Sequence, residues 1–363
     1  MSDEFVDRSP ESLASSSIFL PDEPLPTNYA SAWDAGPGVG ESLAWSVGVI
    51  VVHLAAGAVA FLGLLVLWVI AHGVGSLLDS EALLIIAGGD QLIFALCALA
   101  AVAWRLNPHV REKLQLRRAP VGHYLLIVLA TLPLSLLCSA LYNMLHLGWV
   151  GLAENYPWMT PWTESIDKLL SMEYMGQLAA AASLPVLVMI IAAAPALSEE
   201  LIFRGVIGRG LIARWGVWPG VLVTSVLFGM VHLHPAHALA VIPLGIALHV
   251  VYLSTRSFYA PVLLHFCNNA WACVAVKYGK QLPVTETQMQ HPLLLTAAAA
   301  LTVAIFWILW QTRVRQNPSL VSAQPAPIES ERHHLALTPS AYAALAATGG
   351  VFIAVLVYLG VPQ

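Results

Sequence analysis

Charged side chains are scarce in this chain of 363 residues: Asp, Glu, Lys and Arg make up 10% of it, against 58% hydrophobic residues. Between the charges, many apolar runs extend over about 17 residues or more, which is long enough for a helix to cross the hydrocarbon core of a bilayer. The shortage of charge therefore favours a membrane protein over a soluble one. We predict an all-α fold, a polytopic transmembrane helical bundle of about eight to ten membrane segments.

Cysteine is rare as well, and its positions argue against two kinds of site. The four cysteines lie in apolar stretches, and no two of them have CxxC spacing. Neither a disulfide framework nor a thiolate metal cage is indicated, so we expect core thiols at Cys97, Cys138, Cys267 and Cys273. The chain also lacks an array of basic and aromatic residues, which leaves nucleic acid out of the predicted partners.

The N-terminus lacks the features of a signal peptide. Its first residues, MSDEFVDRSP, are acidic and have neither a basic n-region nor a short apolar core. Residues 1–43 are therefore predicted to be a disordered cytoplasmic tail that stays on the chain.

The distribution of basic residues predicts the topology. The link 105–118 contains five Lys and Arg residues, which places it in the cytoplasm together with the N-terminus. The link 147–176 contains four acids, one lysine and three tryptophans, and it is predicted to be external and interfacial.

The chain has no internal repeat, and its organisation is predicted from the apolar runs and the polar gaps between them. The predicted parts are N-terminal membrane helices over 44–119, a core over 120–312, a polar linker over 313–340 and a C-terminal membrane helix over 341–363. Within the core, the stretch 177–214 is interpreted either as one long helix or as a broken pair.

Two adjacent carboxylates interrupt the core in the segment APALSEELIFRGVIGRG, residues 194–210. An ionisable residue inside a membrane helix is costly without a partner, and it therefore marks a candidate site. Glu200 precedes Arg204 by four residues, the favourable order for an ion pair on one helix face. Glu199 points about 100 degrees away and has no local basic partner, so it must find one elsewhere in the bundle. A helix-end charge cluster at the membrane surface is the alternative interpretation.

Two pairs of polar or aromatic residues follow on apolar segments downstream. Phe228 and His232 lie in VLFGMVHLHP, and His265 and Asn269 lie in LLHFCNNAW. Each pair is spaced i, i+4 and therefore shares one helix face. Taken singly, each is typical of an interhelical hydrogen bond. Together with Glu199 they supply a carboxylate, two imidazoles and an amide, the inventory for activating water and stabilising an oxyanion.

The spacing of these residues also predicts their depth. Glu199 precedes Trp215 by 16 residues, and His232 follows Trp215 by 17. If the chain reverses around Trp215 as an antiparallel hairpin, the two side chains lie at nearly the same depth. The count does not fix the depth of His265.

The order of the three motifs, EExxxR, FxxxH and HxxxN, resembles the CPBP family of intramembrane proteases. This family includes type II CAAX prenyl endopeptidases and bacterial relatives linked to bacteriocin processing or self-immunity. The resemblance covers about residues 120–310. It implies three roles in this chain: Glu199 as the main catalytic acid acting with His232 to activate water, His265 and Asn269 as the residues that hold the tetrahedral intermediate, and Glu200 and Arg204 as structural support.

The resemblance leaves metal dependence open, because the family has been described both as metalloproteases and as glutamate-dependent proteases. The chain has no HExxH motif. Glu and His are nevertheless ordinary zinc ligands, so zinc stays a candidate cofactor. An amide such as that of Asn269 is a poor zinc ligand, and Arg204 brings positive charge close by, which favours a metal-free glutamate mechanism.

Other polar residues of the membrane segments have simpler expected roles. His234 is predicted to be a cap or loop residue, and His237 and His249 are available for hydrogen bonding or stray metal binding. Asn268 does not share a face with the HxxxN histidine. Asp90 is expected to be buried and hydrogen-bonded, with lining of a cavity as the alternative.

The predicted function is hydrolysis of a peptide bond in a membrane-anchored or prenylated, CAAX-type substrate near the cytoplasmic side. The alternative is a non-catalytic membrane protein, either an immunity-type binder or a transporter. A transporter is expected to have related halves or matching broken helices, and neither is found. Serine and aspartate intramembrane proteases fit poorly, because the chain has no GxSG and no GxGD accompanied by a second membrane aspartate.

Overall fold

The computed structural model describes residues 36–72, 80–170, 172–281, 285–314 and 337–360. The predicted tail 1–43 and linker 313–340 lie largely outside these residues. All regular elements of the described part are helices: α1 (Val39–His72), α2 (Ser80–Leu106), α3 (Val121–Asn155), α4 (Thr160–Leu170), α5 (Met172–Ala181), α6 (Leu184–Trp215), α7 (Val217–Met230), α8 (Pro235–Ala240), α9 (Ile242–Thr255), α10 (Tyr259–Tyr278), α11 (Pro292–Gln311) and α12 (Pro339–Gly360). Shorter helical turns lie at Val110–Lys113, Pro157–Met159, Gly279–Gln281 and Glu286–Met289.

The predicted all-α membrane bundle is confirmed. Within the described ranges, seven helical spans are long and apolar enough to cross a membrane, fewer than the eight to ten predicted. They are α1, α2, α3, α6, the α8–α9 pair, α11 and α12. Helix α7 has 14 residues and is about 21 Å long, shorter than the hydrocarbon core of about 30 Å. Helix α10 has 20 residues and contains the HxxxN motif.

Two large apolar clusters hold the bundle together. One cluster contains residues of the five helices α3, α9, α10, α11 and α12. Ile127, Leu248 and Ile305 are fully buried at its centre. The other joins α1, α2, α6 and α7 around Phe203 and Phe228. Because lipid tails are as apolar as these side chains, close packing rather than exclusion of water stabilises such contacts.

Helix α6 settles the ambiguity over residues 177–214. It is continuous from Leu184 to Trp215, and α5 is a separate helix before it. Two π-helical stretches widen it, at Met189–Ala193 and Leu201–Gly208. Such bulges are frequent at functional sites. The double glutamate lies between them.

The chain reverses at Gly216, between α6 and α7. Gly216 has a φ of +83°, a left-handed conformation that favours glycine. The resulting hairpin brings the ring of Phe203, four residues after Glu199, within 5.3 Å of the ring of Phe228, four residues before His232. This contact is the one expected if Glu199 and His232 lie at similar depth.

Candidate active site

Glu200 lies at the centre of a buried ionic network. Its Oε1 accepts hydrogen bonds from Nη1 of Arg204 at 2.8 Å and from Nδ1 of His265 at 2.9 Å. Arg204 also donates from Nη2 to the carbonyl oxygen of Gly245 at 3.0 Å. Neither member of the Glu200–Arg204 pair has exposed side-chain surface. The network ties α6 to α9 and α10, so the predicted ion pair is present and extends to a histidine that the i, i+4 rule could not identify.

Glu199 faces the other nitrogen of the same imidazole. Nε2 of His265 lies 3.8 Å from Oε2 of Glu199, longer than a direct hydrogen bond. This Oε2 atom is buried and has no hydrogen-bond partner among the described residues. Glu200 also has such an oxygen, but its side chain is wholly buried, whereas 14% of the Glu199 side chain is exposed. Glu199 is therefore the less enclosed of the two carboxylates.

His232 lies just beyond the C-terminal end of α7. Its Nδ1 is 2.9 Å from the carbonyl oxygen of Phe228. A carbonyl only accepts, so Nδ1 carries the proton and Nε2 keeps its lone pair in the neutral ring. The Phe228 ring lies 5.1 Å from the His232 ring and 5.8 Å from the His265 ring. Phe228 thus separates and positions the two imidazoles of the motifs.

Asn269 is held at the first π-helical stretch of α6. Its Nδ2 donates to the carbonyl oxygen of Ile191 at 3.3 Å. Pro195 has no N–H and cannot donate to that carbonyl from one turn ahead, which leaves room for the side chain from α10. Asn268 donates to Oδ1 of Asn269 at 3.2 Å and accepts from Ser135 on α3 at 2.8 Å. Asn268 is therefore a brace for Asn269 and not a competitor.

A histidine that the sequence reasoning missed completes the surroundings of the site. His53 lies on α1, and its ring is 4.1 Å from the ring of Phe94, which belongs to the apolar cluster around Phe203 and Phe228. Its Nδ1 is 3.2 and 3.1 Å from the two carboxylate oxygens of Asp90, and Gln91 donates to Asp90 at 3.0 Å. Nothing in the spacing of the chain links α1 to the motifs. The sequence feature that could have indicated this contact is Asp90, because an isolated acid in a membrane helix needs a partner.

Asp90 is hydrogen-bonded, as expected, and it also lines a cavity of about 270 Å³ beside the site. The cavity lies between α1, α2, α5 and α6 and is mostly apolar, lined by Gly57, Ile86, Ala87, Asp90, Gln91, Leu178 and Ile191. Ile191 is the residue whose carbonyl holds Asn269, so the cavity adjoins the HxxxN motif.

The remaining histidines separate into distinct roles. His234 caps α8, as predicted, because its Nδ1 accepts from the backbone N–H of His237 at 3.3 Å. It is also buried and hydrogen-bonded to Asp167 at 2.9 Å, which the sequence did not indicate. His249 packs against Gly208 and its Nδ1 lies 3.1 Å from the Gly245 carbonyl oxygen.

Hydrogen bonds already occupy some of the atoms that could bind a metal at the double glutamate. Oε1 of Glu200 and Nδ1 of His265 are used in the network with Arg204. Glu199 and Nε2 of His265 could supply two ligands. Among the described residues, however, the group of three metal-ligating side chains with atoms within 4.8 Å of one another lies elsewhere, at His146, Asp167 and His234.

All four cysteines are free thiols, as expected. Cys273 is fully buried against α5 and α6. Cys138 and Cys267 are half-buried, and Cys97 is exposed on the surface of α2. The expectation of core thiols is therefore wrong for Cys97.

The segment that contains the three motifs is similar to known proteins. Residues 181–271 match the family model described as type II CAAX prenyl endopeptidase Rce1-like. The chain is also similar to the "Putative membrane peptidase YdiL" of Bacillus subtilis (strain 168), with 26% identity over 110 residues, which are 30% of this chain and 45% of that protein. The chain thus matches less than half the length of this relative, and no solved structure matches it significantly. The family match contains all three motifs, and the resemblance of this chain to the CPBP family of membrane proteases is thereby confirmed.

Proposed function

We propose that this protein is an intramembrane endopeptidase in which Glu199 and His232 activate the water that attacks a peptide bond. The observation that carries the proposal is the buried Oε2 of Glu199, which has no hydrogen-bond partner in the described part of the chain and faces Nε2 of His265. A buried carboxylate oxygen is costly unless something binds it, and a water molecule is the smallest group that can do so.

Glu199 and His232 have different roles in activating water. The ionised carboxylate of Glu199 accepts a proton from water as the oxygen attacks the substrate carbonyl carbon. His232 presents an Nε2 lone pair, because its Nδ1 proton is held by Phe228. The proton taken from water passes to the leaving amine nitrogen as the C–N bond breaks. Positioned bases of this kind contribute about 10²–10⁴-fold to a rate.

His265 and Asn269 are suited to hold the oxyanion of the tetrahedral intermediate. Nδ1 of His265 donates to Glu200, which fixes the direction of the ring and aims Nε2 at the site. To hold an oxyanion, Nε2 must also carry a proton, so in this mechanism His265 acts as an imidazolium between the carboxylates of Glu200 and Glu199. The second Nδ2 proton of Asn269 is available beyond the one given to Ile191. Glu200 and Arg204 act on the chemistry through this orientation and do not touch the substrate.

The proposed substrate is a membrane-anchored or prenylated peptide of the CAAX type, cleaved near the cytoplasmic side. Two features support a substrate that enters from the bilayer: the site lies among membrane-spanning helices, and the adjoining cavity is mostly apolar. The proposed topology places the N-terminus in the cytoplasm, because the link 105–118 is rich in Lys and Arg.

The alternative function is non-catalytic binding of the immunity type. A binder uses the polar cluster for shape or docking and tolerates a change from carboxylate to amide that keeps the fold. The two functions are therefore separated by one isosteric substitution at Glu199.

The test compares the full-length wild type with Glu199→Gln and Glu154→Gln, reconstituted in liposomes with prenylated and unprenylated membrane-anchored reporter peptides. Glu154 is an exposed acid on α3 and serves as the matched control. Mass spectrometry of the products is expected to show cleavage by the wild type and Glu154→Gln, and a loss of at least about 10²-fold in Glu199→Gln with an unchanged melting temperature. Equal cleavage by all three proteins, or none by the wild type, would contradict the proposal.

A further inference from the structure

A second cluster of polar side chains lies outside the double-glutamate network. It joins the C-terminal half of α3, the helix α4 and the turn before α8. Oδ1 of Asp167 lies 2.9 Å from Nε2 of His234 and 3.8 Å from Nε2 of His146. The candidate ligand atoms of these three residues all lie within 4.8 Å of one another. None of them takes part in the network of Glu200, so the cluster is chemically independent of it.

The donor set and its spacing suit a zinc-like ion. Two imidazole nitrogens and one carboxylate oxygen are ordinary zinc ligands at about 2.0–2.2 Å, and three protein ligands leave a fourth position for water. In a tetrahedral site with such bond lengths, neighbouring ligand atoms are roughly 3.3–3.5 Å apart. The distances from Asp167 to His234 and His146, 2.9 and 3.8 Å, lie on either side of that value. Side-chain adjustments of a few tenths of an ångström therefore suffice.

The surroundings hold the ligands in place. Nε1 of Trp149 donates to Oδ1 of Asp167 at 3.2 Å, an outer contact of the kind that orients a ligating carboxylate. The side chain of His234 is 1% exposed, and its ring stacks at 5.7 Å from that of His146. Tyr142 packs against both rings. The cluster is thus a built pocket and not a chance encounter of surface side chains.

Two hydrogen bonds of His234 change when a metal binds. The backbone N–H of His237 donates to Nδ1 of His234 at 3.3 Å, so in the metal-free form Nε2 carries the proton that Asp167 accepts. Coordination through Nε2 moves that proton to Nδ1 and breaks the contact with His237. The contact is at the long end of the hydrogen-bond range and is weak. The metal bond therefore replaces one short and one long hydrogen bond at a single ring.

We propose that His146, Asp167 and His234 form a binding site for a divalent transition metal, zinc being the best match, separate from the site at Glu199. Three protein ligands with an open fourth position are more typical of a catalytic zinc site, but these residues take no part in the network of Glu200 and Glu199, so the role we propose for the ion is structural. The ion joins α4 to α3 and fixes the turn in which His234 follows His232 by two residues. A metal found in this protein is then a clamp beside the active site, and its presence does not make the enzyme a metalloprotease.

The first experiment measures metal without measuring activity. Full-length protein carrying a tag without histidine is purified in detergent, stripped with chelator and titrated with Zn²⁺, and bound metal is counted by inductively coupled plasma mass spectrometry. We expect one Zn²⁺ per chain and a higher melting temperature when zinc is bound. Co²⁺ in place of Zn²⁺ is expected to give the visible absorption of a tetrahedral N,O site. A wild-type protein that binds no stoichiometric Zn²⁺ and melts at the same temperature with and without it overturns the proposal.

The second experiment locates the ion. Asp167→Asn and His146→Gln are expected to weaken Zn²⁺ binding by at least about 10-fold, since each removes or weakens a ligand. Glu164 is an exposed acid on α4, the helix that also contains Asp167, so Glu164→Gln is the matched control. Glu164→Gln and Glu199→Gln are both expected to keep full Zn²⁺ binding. His146 is about one-third exposed, so its variant tests the site if Asp167→Asn fails to fold. Loss of the ion in Glu199→Gln with retention in Asp167→Asn and His146→Gln would assign the metal to the active site instead.

Discussion

Nδ1 of His265 lies 2.9 Å from Oε1 of Glu200, across 65 residues of sequence and between two helices of the bundle. This contact gives Glu200 two roles, because the same oxygen also accepts from Arg204. It also explains how adjacent glutamates differ. Glu200 holds one nitrogen of the imidazole, while Glu199 faces the other.

Glu200→Gln is expected to harm folding before chemistry. It leaves Arg204 buried without its counter-charge, and breaking a buried pair from one side costs about 3–5 kcal/mol. Thermal melting in detergent measures the loss, with Glu154→Gln as a control for removing an exposed acid. Replacing both members, as Glu200→Gln with Arg204→Met, is expected to recover part of the stability. A Glu200→Gln protein with an unchanged melting temperature and no activity would instead place Glu200 in the chemistry.

His232→Ala is expected to lower the rate of reporter cleavage by about 10²–10⁴-fold, because it removes the Nε2 lone pair that acts with Glu199. The melting temperature is expected to fall as well, because the lost bond to the Phe228 carbonyl is worth about 1 kcal/mol and the ring also packs against Phe228 at 5.1 Å. His109, whose side chain is 66% exposed, provides the matched control His109→Ala. His234→Ala is unsuitable as a neutral control, because His234 is buried against Asp167. Full activity of His232→Ala would remove this residue from the mechanism.

Gly208→Ala is expected to destabilise the protein by about 1–3 kcal/mol through overpacking. A Cβ at this position would lie 2.6 Å from Nε2 of His249 and 2.7 Å from the carbonyl oxygen of Phe203, and the carbonyl cannot move aside cheaply. Gly148→Ala on α3 is the control, because a Cβ there meets nothing within 4 Å. Alanine at that helical position is expected to leave the stability unchanged or raise it by up to about 1 kcal/mol. Equal melting temperatures for the two variants would refute the tight packing at Gly208.

Gly57→Leu tests whether the apolar cavity serves the site. Gly57 lines the cavity, and a Cβ there meets nothing within 4 Å, so the substitution starts without a clash at Cβ and adds apolar volume beside the cavity. We expect slower cleavage of the membrane-anchored reporter, mainly through a higher KM, at an unchanged melting temperature. Gly63→Leu on the same helix is the control, since Gly63 is exposed and its Cβ also meets nothing. Identical kinetics for the two variants would separate the cavity from the substrate path.

The residues that share a helix face could be predicted from the sequence alone. Apolar runs define the membrane helices, and i, i+4 spacing pairs Glu200 with Arg204 without any tertiary information. The motif order was enough for the resemblance to the CPBP family, which the match over 181–271 bears out. The cap at His234 also follows from local sequence, because Pro235 begins the next helix.

Which helix faces which was decided only by the tertiary structure. Periodicity orients a side chain around its own helix axis but carries no information on the neighbouring helix, and on uniformly apolar segments every face is equally suited to packing. The spacing therefore could not show that His265 lies between two glutamates, that His53 on α1 meets Asp90 on α2, or that Asp167 meets His234. These contacts form because buried charges and imidazoles must find partners in a medium without water. The choice of partner depends on how the helices pack, and packing is a property of the folded chain as a whole.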